Sequence, residues 1–133
     1  MSGFTIGQLA VSAGVNVETI RFYERKGLLK QPEREEGRIR RYSADARRRL
    51  TFIRGARDLG FTLQEVGELL SLRQDPKATR SDVRGRTMAK LEDVDRRIEF
   101  LKEVRSSLTT LLQQCEGYGP ASNCPILDSL ESQ

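Results

Sequence analysis

The sequence predicts a mainly α fold, a winged helix-turn-helix head followed by one long coiled-coil helix. Two observations carry this. Two short, capped helical patterns meet at Gly14 and are followed by a Gly-led basic loop, Gly37-Arg-Ile-Arg-Arg-Tyr42. Further on, the stretch from about Ser81 to Gln114 contains no proline and a sustained heptad of apolar residues.

The elements follow in order. Thr5 caps a first helix, and Gln8 three positions later completes a capping-box pattern. Ile6, Leu9 and Ala10 form its inner face, and Gly14 ends it. Asn16 caps a second helix that stops before Gly27, with Ile20 and Leu28 inward and Phe22 or Tyr23 packing in part. Pro32 and the stretch 33–37 make a loop, and Ile39 and Tyr42 alternate with basic residues as a small β wing does. Ser43 caps a third helix, with Leu50, Ile53 and Ala56 on one side and Arg47, Arg48, Arg54 and Arg57 on others; Gly60 ends it. Thr62 caps a fourth helix that buries Leu63, Val66, Leu69 and Leu70, and Asp75-Pro76 interrupts the chain. Leu91, Val94, Ile98, Leu101, Arg105, Leu108 and Leu112 then repeat at alternating spacings of three and four. So small a head cannot cover that stripe, so a homodimer through this helix is expected. The organisation read from this is a head with connecting helices over 1–75, a dimerisation helix over 79–114, and a terminal loop with a short helix over 115–133.

Charge narrows the function. The chain of 133 residues has 23 Lys and Arg against 19 Asp and Glu, but residues 1–58 carry a balance of +6 and the remainder −2. A basic first half facing a polyanion fits double-stranded DNA, because a helix pair at a tight turn lets one helix enter the major groove while the other braces it. A coiled-coil adaptor whose basic head meets acidic protein is the reading outside DNA binding. No histidine is present, which removes the commonest general base and nitrogen metal ligand, and no phosphate-cradling glycine loop or nucleophile–base pairing appears. An enzyme is not expected. No apolar run approaches a membrane span and Phe4 to Val11 is no signal peptide, so a cytoplasmic protein without membrane contact is expected.

The two cysteines close the segment Cys115-Glu-Gly-Tyr-Gly-Pro-Ala-Ser-Asn-Cys124, directly after the long helix. Such a loop can bring both sulfurs to one ion, and thiolates are soft ligands that select Hg(II), Cu(I), Cd(II) or Zn(II) over hard cations. Buried structural thiols, or a disulfide closing as a redox switch, are the other readings of the same pair.

Several segments together resemble the MerR family of bacterial transcription regulators: Ile-Arg-Phe-Tyr-Glu-Arg-Lys-Gly-Leu-Leu over 20–29, Arg40-Arg-Tyr42, Leu59-Gly-Phe-Thr-Leu63 and Cys124-Pro-Ile-Leu127. The likeness runs nearly the whole chain in order. It implies an antiparallel direction for the dimer helix, an effector loop at the carboxy-terminal end, and action on promoter DNA with RNA polymerase holoenzyme. It places Thr19, Arg21 and Tyr23 on the exposed side of the recognition helix, although simple packing of Tyr23 against Leu28 is the plainer alternative. Arg40 falls on the wing arginine, flanked by Arg38 and Arg41. An arginine fork suits guanine acceptors or phosphate oxygens, while Arg54 and Arg57 are better placed for the DNA backbone. A solvated face and DNA contact remain equal readings for Arg47 to Arg49.

The resemblance also makes Cys115 and Cys124 metal ligands, with one departure. Sensors for divalent metals carry a third cysteine at the start of the dimer helix, and here Ala78-Thr-Arg80-Ser-Asp-Val83 puts Arg80 there. Arginine cannot bind a cation, which disfavours tetrahedral zinc or three-coordinate cadmium and leaves two-coordinate bis-thiolate binding. Arg80 as an effector-site neighbour would offset the complex's negative charge or pair with Glu116 of a partner copy. Hg(II) is favoured by the cysteine spacing and by Gly14-Val-Asn-Val-Glu-Thr-Ile-Arg-Phe-Tyr23; Asp82-Val-Arg-Gly-Arg-Thr87 pulls towards copper-type sensors, so Cu(I) or Ag(I) comes next. A regulator that has lost metal sensing is the remaining alternative.

Overall fold

The structure, a computed structural model, describes residues 3–33 and 37–132. Among the described residues six α-helices run in order, α1 (Ile6–Ala13), α2 (Val17–Arg25), α3 (Ala44–Asp58), α4 (Leu63–Gln74), α5 (Arg80–Gln114) and α6 (Pro125–Glu131), with a 3₁₀ turn at Ala121–Asn123. The chain divides into two compact units, Met1–Val83 and Arg84–Gln133. The division falls one turn inside α5 rather than in the Asp75-Pro76 linker.

The helix starts obey local chemistry. The Thr5 hydroxyl accepts from the Gln8 amide while the Gln8 side chain accepts from the Thr5 amide, satisfying two donors that a helix start leaves open. Thr62 and Glu65 repeat the arrangement at α4. Thr79 and Asp82 do so at the start of α5, a cap not read from the sequence. Asn16 and Ser43 cap α2 and α3 through one side-chain acceptor each.

The ends obey local chemistry too. Gly14 follows α1 at φ 70° in the left-handed region, and Gly27 takes φ 76° just after α2. At Gly14 a further reason excludes a side chain: a Cβ would run into the Arg54 guanidinium, whose Nη1 donates to the Ala13 carbonyl at 2.8 Å.

The first unit packs its helices around one core. Leu9, Ile20, Leu50, Ile53 and Val66 are fully buried, joined by Tyr23, Leu28, Leu29, Tyr42, Phe61 and Leu70. All four helices contribute, at the spacings that put apolar residues on one helical face. Leu63 and Leu69 pack against this core only in part.

The wing differs from expectation. Among the described residues no strand forms, and the one β pairing is an isolated antiparallel bridge between Phe4 and Tyr42, with N–H to O distances of 2.8 and 2.7 Å. Ile39, read as alternating inward with Tyr42, is 70% exposed. Tyr42 therefore pairs with the lead-in to α1 rather than with a second wing strand. The segment 34–36 lies outside the described residues.

All but the first turn of α5 belongs to the second unit; the helix is 35 residues long, about 50 Å at 1.5 Å per residue. The stripe residues Leu91, Val94, Ile98, Leu101, Leu108 and Leu112 are exposed along it, and Val104 beside Arg105 is half-buried. Among the described residues no helix is long and apolar enough to cross a membrane.

The two glycines separate backbone strain from crowding. Gly27→Ala should cost about 1 kcal/mol through its left-handed φ alone, since nothing crowds the position. Gly14→Ala should cost more, roughly 2 kcal/mol or above, because it also dislodges the Arg54 hydrogen bond. Urea unfolding of the two variants side by side measures the difference.

Candidate DNA-binding and thiol sites

The outward face of α2 follows from its burial pattern. Ile20 and Tyr23 turn inward, leaving Glu18, Arg21, Phe22, Arg25 and Lys26 exposed. Arg21 thus stands on the outward face of α2. Phe22 sits among cations, with Arg25 Cζ 6.0 Å and Lys26 Nζ 5.6 Å from its ring centroid. Thr19 is half-buried, and its hydroxyl donates to the Asn16 side chain at 2.9 Å, which ties it to the cap. Tyr23 is a correction. It is 8% exposed and packs in the core, 5.9 Å from Phe22 ring to ring, so it does not lie on the exposed side. Helical spacing decides this: Tyr23 lies three residues after Ile20, on the same inner face.

On the wing, Arg38 and Arg41 are exposed and Arg40 is half-buried. The Arg40 Nε is sealed from solvent without a hydrogen-bond partner, so packing rather than bonding holds that end of the guanidinium. Two residues on, the buried Tyr42 hydroxyl donates to Glu24 Oε2 on α2 at 2.6 Å. Burial, then the hydrogen bond and negative charge of Glu24, push the Tyr42 hydroxyl well above its ordinary range, so it stays a donor. The positive charges of Arg21 and Arg40 act on it in the opposite direction.

The arginines of α3 are also placed differently from expectation. Arg54 donates to the Ala13 carbonyl and Arg57 Nη1 donates to the Phe61 carbonyl at 2.9 Å, closing helix ends within the head. Arg49, left open between solvent and DNA, donates from Nε to the Leu28 carbonyl at 2.6 Å. Arg48 pairs with Asp45, and Arg47 is exposed. These three carbonyl contacts went unread because a backbone acceptor has no residue type to mark it, and two of them, to Ala13 and Leu28, also join segments far apart in sequence. The Nη1 of Arg54 and of Arg57 is thus used within the fold, and both side chains remain exposed.

The second site lies wholly in the second unit. Cys115 follows α5, Gly117 and Gly119 take φ 91° and 103°, and Cys124 occupies the N-cap of α6 with Pro125 at its first turn. The loop returns the chain so that the two free, half-buried thiols face each other at 3.9 Å. The amides of Leu127 and Ile126 draw the Cys124 thiol below the ordinary thiol range, with a smaller push from Cys115. Glu116 accepts from the Tyr118 hydroxyl at 2.7 Å.

The donor set fits a soft ion and little else. Two thiolates about 2.3 Å from a shared ion stand roughly 3.8 Å apart in a bent arrangement and about 4.6 Å when opposed. The observed spacing suits the first and reaches the second by opening roughly 0.7 Å across a glycine-jointed loop. Among the described residues no cluster of three or more His, Cys, Asp or Glu could hold a metal, so the pair stands without a third such ligand. Arg80 is exposed in the first turn of α5.

Comparison with known proteins places this architecture. Residues 4–72 match the MerR HTH family regulatory protein model, and residues 47–111 match the model described as MerR, DNA binding. The chain is 42% identical over 127 residues to the mercuric resistance operon regulatory protein of Bacillus cereus, covering 96% of each. It is 39% identical over 125 residues to the HTH-type transcriptional regulator CueR of Salmonella typhimurium, covering 94% of this chain and 90% of that one. Among solved structures it resembles the transcription regulator PbrR691 of Ralstonia metallidurans in complex with lead(II), with a TM-score of 0.82, 35% identity and coverage of 96% and 98%. It also resembles the dual function regulator MerR of Bacillus megaterium in complex with mercury(II), with a TM-score of 0.71, 40% identity and coverage of 96% and 99%. With its helix-turn-helix head and its long α5, the chain belongs to the MerR family and is a transcription regulator, not an enzyme.

Proposed function

We propose that this chain is a cytoplasmic homodimer, paired antiparallel through α5, that distorts promoter DNA for RNA polymerase holoenzyme when Cys115 and Cys124 take up a soft thiophilic ion. Hg(II) is the favoured ion, with Cu(I) or Ag(I) next. The observation that carries the metal reading is the pair of free thiols facing at 3.9 Å, with no third acidic, thiol or imidazole ligand among the described residues. The names of the relatives, a mercuric resistance regulator and CueR, and the mercury(II) held by a 40% identical structure support the same class of ion.

The dimer rests on the stripe of α5. Six large apolar side chains exposed on one helix seek a partner surface, and a second copy of the same helix supplies one of matching length. The residues 79–114 serve as the dimerisation helix in this reading, with 1–75 as the DNA-binding head and 115–133 as the effector loop. On DNA, Arg21 reads from α2 and Arg38, Arg40 and Arg41 clamp from the wing, while Thr19 positions the start of α2. Bending a site of this kind costs of order 1–6 kcal/mol. Thiolate capture must therefore favour the active form by a comparable differential affinity. Stiffening of the loop that starts α6 and carries Ile126, Leu127 and Leu130 transmits it.

Reduced protein titrated with Hg(II), Cu(I), Cd(II) and Zn(II) should show ultraviolet thiolate-to-metal absorption with the first two at one ion per thiol pair, and Cys115→Ala and Cys124→Ala should each abolish activation of a target promoter. Normal metal-dependent activation by both variants overturns the metal reading, and a disulfide formed in place of metal uptake points to a redox switch.

Ile98→Glu with Leu101→Glu should convert the dimer to monomer in sedimentation equilibrium and weaken binding to an inverted-repeat duplex by about tenfold or more.

The Cys124 thiolate persists to lower pH than an ordinary thiol. In Cys115→Ala its alkylation by iodoacetamide should therefore reach half-maximal rate at lower pH than that of cysteine in an unstructured peptide, since the amides of Leu127 and Ile126 remain. A lowered value contributes to folding above the unfolded pKa and is lost as pH falls through the folded one. Metal uptake, which releases both protons, weakens in the same direction.

A further inference from the structure

The recognition helix carries one acidic side chain whose place needs a reason. Glu24 lies one turn beyond Arg21, and a carboxylate there repels the polyanion that the helix faces. Its Oε2 is taken by the Tyr42 hydroxyl at 2.6 Å. Tyr42 is itself fixed from several sides. Its ring is 3% exposed in the core, its backbone exchanges two hydrogen bonds with Phe4, and Ser43 next to it caps α3. Glu24 is thus tied to the most rigid residue at the base of the wing.

Two arginines surround this bond. Arg21 from α2 and Arg40 from the wing both bear electrostatically on the Tyr42 hydroxyl, and Arg40 has its buried Nε without a partner. The two elements that the DNA reading uses are joined by the Tyr42–Glu24 hydrogen bond, on which both cations act. While Tyr42 occupies the carboxylate, Arg21 stays on the exposed face of α2 and Arg40 keeps its packed place on the wing. Without the hydroxyl, Glu24 is left as a half-buried acceptor, and the two cations that bear on the same hydroxyl, Arg21 and Arg40, are donors that it can draw inward.

We propose that Glu24 and Tyr42 are positioning residues, a clip that sets the angle between recognition helix and wing and keeps Arg21 and Arg40 available for operator DNA. Neither residue touches the duplex. The inference rests on the DNA-binding reading of the head and adds to it the residues that hold its two reading elements in register.

The test uses the full chain and two duplexes of equal length: an inverted repeat that the wild-type chain selects from a random pool, and a random sequence. Tyr42→Phe keeps the ring in the core and removes only the donor, and Glu24→Ala removes the acceptor. Both should weaken binding to the selected duplex about tenfold and to the random duplex less than about threefold, with unchanged helical circular dichroism. Glu24→Gln still accepts from the hydroxyl and should stay within about threefold of wild type. Arg40→Ala should cost clearly less in the Tyr42→Phe background than in wild type, because the arginine is already diverted. Wild-type discrimination in Tyr42→Phe and Glu24→Ala, equal losses on both duplexes, or strict additivity with Arg40→Ala overturns the clip. A wild-type chain that selects no duplex at all overturns the DNA reading of the head, and the clip with it.

Discussion

The head depends on one recurring contact: an arginine of α3 donating to a carbonyl left open where another segment ends. Arg54 takes the Ala13 carbonyl at the close of α1, Arg49 takes that of Leu28 after α2, and Arg57 takes that of Phe61 before α4. Helix ends leave carbonyls that must find donors when they are half-buried. Between these polar contacts the same helix buries Leu50 and Ile53 completely. Polar contacts fix direction and apolar contacts supply burial, so α3 acts as the spine against which the helix-turn-helix is held. The left-handed Gly14 is what lets the Arg54 guanidinium approach.

Much of this was legible in the sequence, and the physical reason is range. Caps at Thr5, Asn16, Ser43 and Thr62 involve residues three apart, so residue type and spacing suffice to place them. The stripe on α5 was legible for the same reason. What stayed hidden depends on pairing across the fold. Tyr42 offers a strand-like alternation, yet its partners are Phe4 and Glu24, far off in sequence. The arginines of α3 read as DNA-backbone contacts (Arg54, Arg57) or as solvated or DNA-facing (Arg47 to Arg49), because a carbonyl acceptor leaves no trace in residue type. Tyr23 was assigned outward by likeness of motif, whereas the three-residue step from Ile20 places it inside.

The thiol pair shows the opposite balance. Its two ends and its glycines are visible in the sequence, and the structure adds the 3.9 Å approach and the asymmetry between the sulfurs. Cys124 begins a helix and so has amides before it; Cys115 follows the end of one. An ion shared between them would join the end of α5 to the start of α6. That gives a bond formed at sulfur a mechanical lever on the last helix, without any ligand from elsewhere in the unit.

The internal employment of α3's arginines has a consequence for association with a polyelectrolyte. Formal charge in the first fifty-eight residues sums to +6, but several of those cations are already aimed at backbone oxygens. Fewer condensed counterions should be displaced per head than the tally implies, so complex formation should depend on ionic strength less steeply than composition suggests. Discrimination would then lean on a handful of outward guanidinium groups and on the deformability of the duplex between the two half-sites.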